Sequence, residues 1–148
     1  MSRWQKIASQ NDIDELLSFY VGFHDSCIVS ANYQSGAFVD EKGAMGNGDA
    51  DQHELLVVFH SQWKPQIELC FTGLRQLHLA GWQENYFCDI FGAHLSFYDS
   101  LLPGTPSRVI VWSDNESFDV QNLASAIHEP SDTYIVANAL KWRVIDRQ

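Results

Sequence analysis

The apolar positions change period once, at Gly22. Before it, Ile13, Leu16, Leu17 and Tyr20 recur at the spacing of one helix face. This predicts a helix over residues 12–20, with Asn11 as its cap, Asp14 three residues on as a variant capping box, and Asp12, Asp14 and Glu15 at the positive end of the dipole. Gly22 is the expected stop. After it, Cys27, Val29, Ala31 and Tyr33 alternate with Ser26, Ser30 and Asn32, Ile28 being the exception. The pattern is that of a half-buried strand. Gln34-Ser35-Gly36 predicts a hairpin turn into Ala37–Asp40, and the Gly- and Asp-rich stretch 40–53 a mobile loop. Glu54–His60 is apolar on both faces, as in a central strand covered on both sides. Ile67, Leu69 and Phe71 alternate with polar neighbours up to a predicted turn at Gly73, and Leu77 and Leu79 resume the alternation. Residues 86–91 are largely apolar and aromatic. Leu95 with Phe97, then Arg108–Trp112, mark further strands on either side of the Pro103–Pro106 loop. The polar stretch 113–132 holds a short helix around Val120–Ile127. Tyr134, Val136, Leu140, Trp142 and Val144 predict one long final strand with Lys141 and Arg143 outward.

Strands that follow one another without helices between them argue for antiparallel pairing rather than βαβ units. The expected fold is α+β. It is mainly an antiparallel meander or sandwich, with one N-terminal helix and a short second one, in a single domain over residues 1–148.

Composition adds two constraints. With 45% hydrophobic residues, including nine Phe, five Tyr and five Trp, the 148-residue chain has ample material for a core, and the sheet is expected to consume it. The formal charge is −10, from nine Lys and Arg against nineteen Asp and Glu. Phosphate backbones and anionic membranes are bound through clustered Lys and Arg, so both are excluded as partners, and a basic protein is favoured. Cys27, Cys70 and Cys88 are odd in number and lie within apolar runs. They read as free, buried thiols in a reducing cytoplasm. The first residues lack the apolar stretch of a leader, and no run reaches the ~20 apolar residues of a membrane helix. The oligomeric state is left open.

Candidate chemistry is sparse. His24, Asp25 and Ser26 stand together after the first helix, and His24 with Asp25 is the catalytic candidate. On an extended strand, however, His24 and Ser26 share a face while Asp25 points away, a poor triad. The competing reading has His24 and Asp25 bonding nearby backbone where helix gives way to sheet. Six histidines, at 24, 53, 60, 78, 94 and 128, occur without any paired metal-ligand spacing. His60 and His78, expected on neighbouring strands, are metal candidates together with His24, although the spacing argues against a metal and no cofactor is implied. Asn47, Asp49 and Asp51 imitate a calcium loop, but Gln52 stands where glycine is needed and Val58 where the bidentate glutamate belongs. Asp40, Glu41, Asp49 and Asp51 are better read as a solvated acidic loop for contacting a basic partner. Gly46-Asn47-Gly48 lacks the Lys-Ser/Thr of a phosphate loop, and no Gly-x-Ser-x-Gly elbow occurs.

Three segments carry a resemblance: Phe23-His24-Asp25-Ser26, Ile67-Glu68-Leu69-Cys70-Phe71-Thr72-Gly73-Leu74, and Tyr134 through Arg143. Together they resemble small bacterial β-rich domains of the immunity-protein type. The resemblance implies a non-enzymatic protein that covers a partner, and it assigns no catalytic residue. The leading expectation is thus a small binding protein, immunity- or inhibitor-like, on a basic protein. The alternatives are a small hydrolase or metal site using His24, Asp25, His60 and His78, or a subunit of an oligomer.

Overall fold

The computed structural model describes residues 3–82, 84, 86–125 and 132–145. Strand β1 spans Gln5–Ile7, and helix α1 spans Gln10–Phe19. The helix starts earlier than its apolar stripe suggests because Ser9, not Asn11, caps it. The Ser9 hydroxyl accepts from the Asp12 amide at 3.3 Å, and the Asp12 carboxylate accepts from the Ser9 amide at 3.1 Å. This is a reciprocal capping box with aspartate in the third position. Bonds from the Ala8 and Ser9 backbone hold the Asp12 carboxyl below the usual range. Asn11 instead bonds Glu15, and Asp14 accepts from Gln10, both on the exposed face. Ile13, Leu16 and Tyr20 are buried, as the stripe predicts.

The chain then turns sharply. Val21, Gly22 and Phe23 form a 3-10 turn with φ of +54°, +62° and +67°. Only the glycine is at ease there, and a β-branched residue in this region is a conformational outlier. Aromatic packing holds the turn. Phe23 is fully buried, with its ring 5.2 Å from Tyr20, 5.0 Å from Phe59 and 5.6 Å from Trp112.

The remaining strands are β2 (Ser26–Gln34), β3 (Phe38–Val39), β4 (Met45–Gly46), β5 (Glu54–Ser61), β6 (Ile67–His78), β7 (His94–Asp99), β8 (Arg108–Ser113) and β9 (Tyr134–Val144). The fold is α+β, mostly antiparallel sheet with one α-helix among the described residues. Six strands run in the order β2-β5-β6-β9-β8-β7, with β1 on β9. Two antiparallel runs, β2-β5-β6 and β7-β8-β9, thus meet along β6 and β9, the two longest strands. One side of β9 is taken by β6. The other is shared end to end by β8, where Ile110 faces Ala137, and β1, where Ile7 faces Leu140. Arg108 spans the joint by donating to the Ala8 carbonyl at 3.0 Å.

The sheet is strongly curled. The rings of Phe59 on β5 and Trp112 on β8 are 5.3 Å apart although β6 and β9 intervene. In a flat sheet those strands would be about 14 Å apart. Gly73 explains part of the curl. The sequence suggests a turn there, yet β6 continues past it. At φ +64° Gly73 bends the strand where any Cβ would collide with Asn138, and the pairing slips between Leu74 and Gln76. The concave face carries the main core, with Leu55, Val57, Phe59, Ile67, Leu69 and Phe71 under α1. On the other face Val109, Val111 and Val136 form a smaller core under Phe118, Val120 and Leu123. The predicted short helix is there as a 3-10 segment, Val120–Ser125, and Ile127 lies outside the described residues.

Several expectations need correction. Strand β2 is a sheet edge with a bulge between Ile28 and Ser30, so its alternation does not face a core: Val29 is 46% and Tyr33 50% exposed. Gln34-Ser35-Gly36 makes no hairpin, because β2 pairs with β5 across the whole 35–53 excursion. Within that excursion β3 and β4 pair, and residues 50–52 form a 3-10 turn, so the stretch is partly built rather than one open loop. Strand β5 is fully buried on one face only. Among the described residues no helix is long and apolar enough to cross a membrane.

Candidate functional site

Curling brings β2 toward the far half of the sheet without closing on it. The chain bridges the gap after β6. Ile90 exchanges backbone bonds with Asp25 and Ser26 at 3.0 and 2.9 Å, and the Ala93 amide donates to the Gly22 carbonyl at 2.9 Å. Between this bridging segment and β2 lies a cleft of about 420 Å3. Its apolar walls include Ile28, Val29, Leu79, Tyr86, Phe87 and Ile90, while Asp114 and Thr133 contribute from the ends of β8 and β9.

Large aromatics on the bridging segment, and Trp63 beside Asp25, are not consumed by the core. Trp82 is 84% exposed and packs edge-on to Tyr86 at 6.1 Å; Phe87 is 76%, Phe91 77% and Trp63 75% exposed. Composition alone suggests that such rings fill an interior. The signal that distinguishes them is their occurrence in 82–91 without the period of a strand or helix.

Two carboxylates line the cleft, the exposed Asp89 and the partly buried Asp114. One oxygen of Asp114 accepts from the Thr133 amide at 3.1 Å. Burial pushes its carboxyl up to about 6, Asp132 adds to the rise, and the Thr133 N–H opposes it. Asp132 is held by the Asn115 amide at 3.3 and 3.4 Å. The Asp132 backbone carbonyl accepts from His78 Nδ1 at 2.6 Å.

The Cys27 and Cys88 thiols are within hydrogen-bonding reach, and burial together with Cys88 raises the Cys27 thiol. Cys88 lines the cleft and is exposed, Cys27 is half-buried, and only Cys70 is buried as expected. Cys70 bonds Glu54 at 3.2 Å, and burial pushes it up to about 12. The expectation of three buried thiols fails because Cys88 stands on the bridging segment, not in a strand.

The His24–Asp25–Ser26 cluster divides its contacts. His24 Nδ1 lies 2.9 Å from the Phe91 carbonyl, an acceptor only, so this nitrogen carries the proton. Its Nε2 is 3.5 Å from Asp25 Oδ1, and the other Asp25 oxygen accepts from the Trp63 indole at 3.0 Å. Ser26 is buried and donates to the Phe23 carbonyl at 2.6 Å. Of the three only Ser26 bonds backbone at the helix–sheet junction; His24 reaches the bridging segment and Asp25 the Trp63 indole, so the three side chains do not form a relay.

The metal candidates separate as well. His60 faces Cys27 near the Ile67 end of β6, whereas His78 faces Tyr134 at the other end and stacks on its ring. Both strands are as expected; their register keeps the two histidines from meeting. Burial lowers the pKa of His94, which bonds Tyr98 at 2.7 Å. His128 lies outside the described residues. Among those described, no group of three or more His, Cys, Asp or Glu could hold a metal.

All four loop acids, Asp40, Glu41, Asp49 and Asp51, are exposed. Asp40 accepts from the Lys42 and Ala44 amides at 2.9 Å, and Asp49 shares a capping box with Gln52. These two carboxylates shape turns, and none of the four lines the cleft. No family model, curated protein or solved structure matches the chain, so the chemistry of the cleft and its rim has to carry the functional reading.

Proposed function

We propose that the chain is a non-enzymatic binding protein, inhibitor- or immunity-like in action, which lays its aromatic-rimmed cleft over a basic protein partner. The observation that carries this reading is the group of exposed rings on the bridging segment: Phe87, which lines the cleft, and Trp82 and Phe91, next in the chain to the lining residues Gly81 and Ile90. An exposed aromatic side chain recovers roughly 2 kcal/mol when a partner covers it. Aromatics of this kind form the centres of interfaces, where a few residues carry most of the affinity. The charge of −10 selects a basic partner and speeds its approach. Inhibition would follow from occlusion and need no catalytic group. The hydrolase or metal reading on His24, Asp25, His60 and His78 has less support, since Ser26 is committed to backbone and His78 is remote from His60.

The test is isolation of the native complex, followed by binding measurements with the purified partner. The partner should be basic, and affinity should fall as salt rises. A Trp82→Ala/Phe87→Ala double variant should lose about 100-fold or more in affinity, as central aromatic truncations do. An acidic partner, or a double variant that binds at full strength, would sink the proposal.

A further inference from the structure

We infer that the cleft is a pocket for one arginine side chain of that basic partner, with Asp114 as counter-charge and Tyr86 and Phe87 as walls. The inference rests on the binding reading above and specifies what enters the cleft.

The first support is the charge that Asp114 places in the cleft. Asp114 is partly buried there, with its carboxylate accepting from the Thr133 amide. Among the described residues no Lys or Arg lines the cleft. Arg75 bonds Asn138 and Pro103, Arg108 bonds Ala8 and covers Phe97, and Lys141 and Arg143 lie over Trp4. A carboxylate kept out of water without a cation is expensive to the fold, and an entering cation relieves that cost.

The second support is the wall chemistry. Tyr86 and Phe87 line the cleft, and Trp82 packs against Tyr86. Rings beside a carboxylate suit a guanidinium, which stacks on aromatic faces while donating in its plane, better than a strongly hydrated ammonium. The three-carbon stem would pack on Ile28, Val29 and Leu79. A volume of about 420 Å3 is ample for one long side chain and falls in the usual range of roughly 300–1,000 Å3 for built ligand sites. Anions would be opposed by Asp114, Asp89 and the neighbouring Asp132. A neutral apolar group would bring Asp114 no opposite charge.

The probe is n-butylguanidinium, titrated into the isotopically labelled full chain and followed by amide shifts, with n-butylammonium and n-butanol as controls. Saturable shifts at Val29, Phe87 and Thr133 are expected, with affinity on the order of 1 mM for so small a ligand. Binding should be at least about tenfold stronger than that of n-butanol. Asp114→Asn retains an acceptor for the Thr133 amide and should fold, which its own amide spectrum checks; it should weaken guanidinium binding by about tenfold or more. Equal binding of n-butanol, undiminished binding by a folded Asp114→Asn, or shifts that avoid the cleft would each overturn the inference. None of these outcomes bears on whether the aromatic rim covers a basic protein, which the double variant tests separately.

Discussion

Asp114 makes a stability prediction that needs no ligand. Its carboxyl stands at about 6 in the folded chain, against 3.8 when free. A rise of that size corresponds to at most about 3 kcal/mol of preference for the protonated form. Because the folded value is raised, the group's favourable contribution is fully present below 3.8 and is lost as pH rises through about 6. Above that point the fold carries a partly buried carboxylate whose desolvation outweighs the opposing effects of the Thr133 N–H and His78. Asp114→Asn removes the charge and keeps an acceptor for the Thr133 amide. Since the side chain retains some contact with solvent, about 1–2 kcal/mol of stabilisation at neutral pH is expected. For a domain of this size that is a rise in Tm of roughly 2–8 °C. The gain should shrink with acidification and vanish near pH ~4. Thermal or urea unfolding of both proteins across that pH range is the assay. A stability difference that does not vary with pH, or a variant less stable than the parent at neutral pH, would refute the account of Asp114.

Three further outcomes follow from the same geometry. Phe23→Ala empties the point where Tyr20, Phe59 and Trp112 converge, and should cost about 3–5 kcal/mol by urea denaturation; a loss well below 2 kcal/mol would contradict the packing described. Val21 is half-exposed at φ +54°, so Val21→Asn, which tolerates that conformation, should raise stability by about 1 kcal/mol, and a destabilised variant would count against strain at this turn. With a thiol-alkylating reagent read by mass spectrometry, exposed Cys88 should react first and Cys70, buried and raised to about 12, last; early labelling of Cys70 in folded protein would contradict its placement.

Much of the secondary structure was legible because burial on one face writes its period into the chain. Ile13, Leu16 and Tyr20 do face the sheet, and Ile67, Leu69 and Phe71 are buried as their alternation predicts. The strands at 108–113 and 134–144 stand where their apolar runs are. Local cues failed where two readings share one signature. A glycine inside an alternating run marks either a turn or a bend, and only the close approach of Asn138 shows that Gly73 is a bend. A serine just ahead of a helix and an asparagine just inside it are both competent caps, and the Asp12 carboxylate decides for Ser9.

What the sequence determined by itself, then, was the α+β class, the helix, the main strands and an acidic surface, since each depends on near neighbours or on summed charge. Tertiary structure alone decided that β2 is an edge, that Trp82 and Phe87 lie outside the core, and that Val29, Phe87 and Asp114 border one cleft. Hydrophobicity records how much surface a side chain would hide, not whether the sheet curls far enough to hide it. The cleft arises from that curl, which joins residues distant in the chain through no local pattern.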